Sequence, residues 1–141
     1  MHGWVGCRSV HPRSTWEWVD RVPILEVEIV EAAEAASSTR AQDLADAAGR
    51  VLGCEPGRVW VKLRRLPLAD YAENDAALPA GDPPVFVRVV MHQLPLIEER
   101  AALAKELAAA VATVCDRAGE RVHLIFEPDA QSRIAFGGEL R

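Results

Sequence analysis

The chain has 141 residues, 50% of them hydrophobic and 26% charged, and a formal net charge of −5. That length supports one ordinary core, and the balance is that of a globular protein. An acidic chain without a basic block argues against a nucleic-acid partner, and no apolar run approaches the roughly 20 residues of a membrane span.

Residues 1–22, MHGWVGCRSVHPRSTWEWVDRV, differ in character from the rest of the chain. Three of the four tryptophans, two of the four histidines and one of the three cysteines fall there. The stretch has neither strand alternation nor helical periodicity, and it lacks the apolar core of a signal peptide. It reads as an extension, disordered or loosely docked. The dipeptide Val22-Pro23 suggests a sharper expectation. A valine codon can start translation in bacteria, and the initiator methionine is readily removed before proline. On that reading residues 1–22 are a mis-assigned start, and the mature chain begins at Pro23.

Beyond them come two copies of a strand–helix–strand pattern, 23–79 and 84–141, and each opens at a proline. In the first, Leu25, Val27 and Ile29 share one face of a strand while Glu26 and Glu28 share the other. Ser37, Ser38 and Thr39 are N-cap candidates for a helix carrying Leu44, Ala48, Val51 and Leu52, and Gly53 is its stop. The second strand sets Val59, Val61 and Leu63 on the core face and Arg58, Trp60, Lys62 and Arg64 opposite.

Ala80-Gly81-Asp82-Pro83-Pro84 is a linker rich in breakers. The second copy sets Val85, Val87, Val89 and Met91 on one face and Phe86, Arg88, Val90 and His92 on the other. A helix from about Ile97 presents Leu103, Leu107, Val111 and Val114. The last strand buries Val122, Leu124 and Phe126 and leaves Arg121, His123, Ile125 and Glu127 on the opposite face. Right-handed crossovers make the strands of each unit parallel. The expected fold is α/β (α+β): two βαβ units forming a four-stranded sheet with both helices on one face. The other sheet face, holding Trp60, Phe86, Val90 and Ile125, is too apolar to be simply solvated, so self-association is expected.

The three cysteines, Cys7, Cys54 and Cys115, are odd in number and widely spaced, which is not a disulfide framework. They contain no CxxC or zinc-finger spacing. They suggest a reducing, cytoplasmic compartment, and Cys115 reads as a small core residue. Two histidines on different strands make no metal signature without a third ligand, so no metal is expected.

Ile134-Ala135-Phe136-Gly137-Gly138-Glu139-Leu140 resembles the terminal hairpin of 4-oxalocrotonate tautomerase, which also ends in Gly-Gly-Glu-Leu. Tyr71-Ala72-Glu73-Asn74 falls at the equivalent place in the first copy. With the duplicated pattern, residues 23–141 resemble the long, fused form of the tautomerase superfamily, whose short members form hexamers and whose long members form trimers. The resemblance implies a homotrimer, a small-molecule substrate, no cofactor, and an N-terminal proline as general base. That role falls on Pro23 if it is a free amine; Pro84 reads as a structural relic. A secondary amine buried among apolar and cationic groups is neutral near pH 7 and can move a proton beside a carbonyl. An amide nitrogen cannot.

The carboxylate-binding arginines of the family are replaced here. One position holds Trp60 in the first copy and His123 in the second, another holds Ala33 and Leu94, and a third holds His92. Arg64, Arg65, Arg88 and Arg133 are candidate substitutes. The wall residue of the family hairpin corresponds to Tyr71 and Ile134. The candidate site is therefore Pro23 with His92, His123, Tyr71, Arg64, Arg133, Trp60 and Ile134. Two functions are open: a tautomerase of small enol or keto acids, or a non-catalytic trimeric ligand-binding or scaffold protein on the same fold.

Overall fold

The computed structural model describes residues 22–35, 38–77 and 83–141. The expectations for residues 1–21, for Ser37 as a cap and for the middle of the linker lie outside the described residues.

The chain runs β1 (Ile24–Glu31), α1 (Ala41–Leu52), β2 (Trp60–Pro67), β3 (Val85–Val90), α2 (Ile97–Cys115) and β4 (Val122–Phe126), then a small hairpin of β5 (Ala135–Phe136) and β6 (Glu139–Leu140). The first four strands form one sheet in the order β2-β1-β3-β4. β1 pairs with β2 in parallel, β3 with β4 in parallel, and the two units meet through the antiparallel pair β1–β3. This is the α+β architecture expected from the pattern.

Alternation decides which face is buried. Leu25, Val27 and Ile29 of β1 and Val85, Val87 and Val89 of β3 are all at most 1% exposed. They pack against Leu44, Ala48 and Leu52 of α1 and Leu103, Leu107, Val111 and Cys115 of α2. Both helical stripes have the spacing that one apolar face requires. The opposite sheet face keeps its charges and several apolar side chains, with Trp60 42% and Ile125 54% exposed.

Pro84 directly precedes β3 as Pro23 directly precedes β1, and both prolines are buried. The core-facing set of β1 begins at its second residue, Leu25, and that of β3 at its first, Val85; a one-residue slip would turn every valine of β3 outward.

Two further expectations change. Thr39 is not the cap of α1: Arg40 holds that position with no side-chain cap bond. Its guanidinium instead grips Asp43 with two hydrogen bonds of 3.0 and 2.8 Å. Thr39 is buried, and its carbonyl accepts a hydrogen bond from Arg65. The cysteines are also not all free. Cys54 is disulfide-bonded, while Cys115 is a free, buried thiol whose pKa burial pushes up. Disulfide pairing is set by proximity in space, which sequence spacing does not encode. Gly53 does stop α1, at φ 66°, in the left-handed region that glycine enters most easily.

Candidate active site

The antiparallel pairing places Ile24 opposite Val90, and the parallel pairing places Ile24 opposite Trp60. The residues before Ile24, after Val90 and around Trp60 therefore share one end of the sheet. Pro23 is buried there, and its carbonyl accepts the Trp60 N–H at 3.0 Å. Trp60 meets Phe136 of the terminal hairpin edge to face, with centroids 5.6 Å apart and planes at 83°, and its indole N–H donates to the Gly57 carbonyl at 3.1 Å. His92 comes just after β3 at this end. Its carbonyl accepts the Gln131 N–H at 3.1 Å, while its Nδ1 is buried with no hydrogen-bond partner. Ile134 and Arg133 belong to the hairpin approach. Ile134 N–H bonds the Ala130 carbonyl, and exposed Arg133 bonds the Asp129 carbonyl through Nη1 at 3.2 Å.

Tyr71 and His123 lie elsewhere. Tyr71 comes after β2, so it belongs to the end of the sheet where β3 begins. Its ring is 5.9 Å from Phe86, and Phe86 is 5.6 Å from His123. The Tyr71 hydroxyl donates to Glu73 Oε2 at 2.8 Å, and Arg121 Nη2 donates to the same oxygen at 3.2 Å. The hydrogen bond from Tyr71, then that from Arg121, holds the Glu73 carboxyl below the usual carboxylate range, and the carboxylate in turn pushes the Tyr71 phenol up. Phe86 pairs with Glu28, five residues along β1 from Pro23. At about 3.3 Å per residue the two ends are on the order of 16 Å apart. One small molecule in one protomer cannot touch both.

Arg64 pairs with Glu28, on the rung of Phe86 and His123, and lies on the sheet face away from the helices. It lines a 260 Å³ cavity with Glu26, Lys62, Phe86, Arg88 and Ile125. Lys62 bridges Glu26 at 2.7 Å and lowers the pKa of that carboxyl, while Arg88 pairs with Glu127. Of the predicted site residues, the fold thus brings Pro23, Trp60, His92 and Ile134 to one end and Tyr71 and His123 to the other. Arg121 and Phe136 were not singled out from the sequence. The available signals were an arginine immediately before β4 and an aromatic flanked by Gly137-Gly138, both of which gain meaning only once the strands are paired.

No protein-family model and no curated protein matches the sequence. Solved structures do. A wild-type fused 4-OT symmetric trimer superposes with a TM-score of 0.64 at 22% identity, covering 83% of this chain and 94% of that one. The chain carries the tautomerase-superfamily fold. A second neighbour, Pt0534 inactivated by 2-oxo-3-pentynoate, matches with a TM-score of 0.61 at 19% identity over 83% of this chain and 94% of the other. Leishmania major MIF2 matches at 0.62 and 15% identity, over 85% and 97%. Among the described residues no group of three metal-ligating side chains is placed to hold an ion, and no helix is long and apolar enough to cross a membrane.

Proposed function

We propose that this tautomerase-fold chain moves protons between carbon and oxygen in small enol or keto acids, without a cofactor, with Pro23 as general base once it stands at an N-terminus. The observation that carries the reading is the setting of Pro23: buried at the head of β1, at the sheet end that also holds Trp60, Phe136 and His92. A secondary amine in that apolar setting is biased toward its neutral, basic form. In the chain as it stands, Val22 acylates Pro23, and an amide nitrogen has no basicity to use.

The experiment compares the whole chain with a chain beginning at Pro23. Ketonisation of phenylenolpyruvate and deuterium uptake at the adjacent carbon are monitored in both. The shorter chain is expected to catalyse, and Pro23→Ala in that chain should lower the rate about 10²–10⁴-fold, the range of a lost general base. Covalent labelling by 2-oxo-3-pentynoate should depend on the same amine. Equal rates in the whole chain and the shorter one would refute the role of the proline.

A second reading has its own observation. Val22 is only 3% exposed, so the acylating residue is packed into the fold. A protein that keeps this linkage is a non-catalytic ligand-binding or scaffold protein, and the N-terminal sequence of the protein from its native host separates the two. For either, a homotrimer is the proposed assembly, with the exposed sheet face between copies.

A further inference from the structure

We propose that the groove between α1 and the turn after it is the docking seat of the chain's own N-terminal segment, residues 4–10, held there by a disulfide between Cys7 and Cys54. The inference goes beyond the proposed function and does not depend on it. The chain has three cysteines. Cys54 is disulfide-bonded and Cys115 is a free, buried thiol. Within one chain that leaves Cys7 as the partner of Cys54. Cys54 lines an open groove of 430 Å³ with Ala45, Asp46, Gly49, Glu55 and Val59. The end of α1 sets its backbone, for the Cys54 N–H donates to the Gly49 carbonyl at 3.0 Å.

Gly49 is the second observation. It stands inside α1, where glycine is disfavoured, and a Cβ built there meets nothing within 4 Å. No packing among the described residues accounts for it, whereas a segment lying against the helix backbone does. Trp4, Val5 and Val10 around Cys7 match the apolar floor that Ala45, Gly49 and Val59 give the groove. The reach is ample: fifteen peptide steps separate Cys7 from Val22, a span of up to about 50 Å. Val22 is itself packed, at 3% exposed. The next residue, Pro23, bonds through its carbonyl to Trp60, whose indole reaches back to Gly57 on the rim of the groove. Closing the bond takes two electrons and two protons from the Cys7 and Cys54 thiols and passes them to a small disulfide, which leaves as two thiols. While the bond is closed, a cut before Pro23 leaves residues 1–22 attached to the protein, and reduction releases them.

The test is a disulfide map of the whole chain. The protein is equilibrated with oxidised and reduced glutathione, denatured with its free thiols blocked, and cut with trypsin. Residues 1–8 should leave joined to 51–58 and separate on reduction, while Cys115 is recovered in 106–117 as a blocked thiol. Three results overturn the tether: Cys7 and Cys54 recovered singly under oxidised glutathione, Cys54 joined to Cys115, or Cys54 joined to a second chain. The seat is read from the glutathione ratio at which half of the bond is open. Gly49→Leu fills the groove with a better helix former, so the fold is kept while docking is lost. It should move that ratio about threefold or more toward opening, because docking raises the effective concentration of one thiol at the other. An unmoved ratio overturns the docking.

Discussion

Glu73 Oε2 accepts from both the Tyr71 hydroxyl and Arg121 Nη2, and the chain has a single tyrosine. The phenolate absorbance of the whole protein therefore titrates Tyr71 alone. Replacing Glu73 with Gln removes the charge that pushes this phenol up, so the titration midpoint should fall back toward the ordinary value near 10; an unchanged midpoint would break the link. The same pair sets a stability window. The Glu73 pKa is depressed in the fold, so its contribution is present above the ordinary carboxylate range and is lost as pH falls through the depressed value. The Tyr71 pKa is raised, so its contribution is complete below the ordinary phenol value and is lost as pH rises through the elevated one. The cluster is intact at neutrality and loosens at both extremes.

Adjacent arginines differ in the same residue-level terms. Arg65 bridges Glu31 at 3.1 Å, and Glu31 is 5% exposed, whereas Arg64 lies on the open sheet face. Arg65→Met removes an ion pair from a buried carboxylate. Such a break costs 3–5 kcal/mol in a fully buried pair, reduced here to about 2 kcal/mol by the partial exposure of the guanidinium. Arg64→Met should stay within about 0.5 kcal/mol. Chemical denaturation of the two variants side by side checks the contrast. The sequence showed two like residues in a row, and only the buried acid across the sheet tells them apart.

At the scale of elements, α2 ends on Asp116 at φ 53°, left-handed backbone that a side chain resists. An acidic residue there also opposes the negative end of the helix dipole. Asp116→Gly should stabilise the protein by about 1 kcal/mol, seen as a rise in Tm of a few degrees. Leu107, 0% exposed between α2 and the sheet, should cost about 3 kcal/mol when cut to Ala. The elements themselves were largely readable. Period-two valines gave β3, the stripe from Leu103 to Val111 gave α2 from Ile97, and Gly53 gave the end of α1. The cap of α1 was not, because Arg40 works through an ion pair with Asp43 while Thr39 turns inward to meet Arg65. Of the residues expected at the site, Pro23, Trp60, His92 and Ile134 share one end of the sheet, while Tyr71 and His123, included for their positions in the family resemblance, are sent by strand direction to the other.

At the scale of the molecule, the sheet face away from the helices carries Ile125 and Trp60 in the open together with alternating acids and bases. The proposed trimer covers that face. Ile125→Glu would place a charge in the contact, and sedimentation should then show a lower mass than the parent chain at equal concentration. An unchanged mass would point to another surface.

Pro84 directly precedes β3 as Pro23 directly precedes β1, and Pro83 is joined to it by an ordinary peptide bond. A peptide bond made at synthesis leaves no route by which its nitrogen could become an amine short of cutting the protein in two. On the proposed reading the doubled fold therefore offers one amine base and not two: 2-oxo-3-pentynoate should be taken up by the chain beginning at Pro23 with a stoichiometry of one per polypeptide, however many copies assemble.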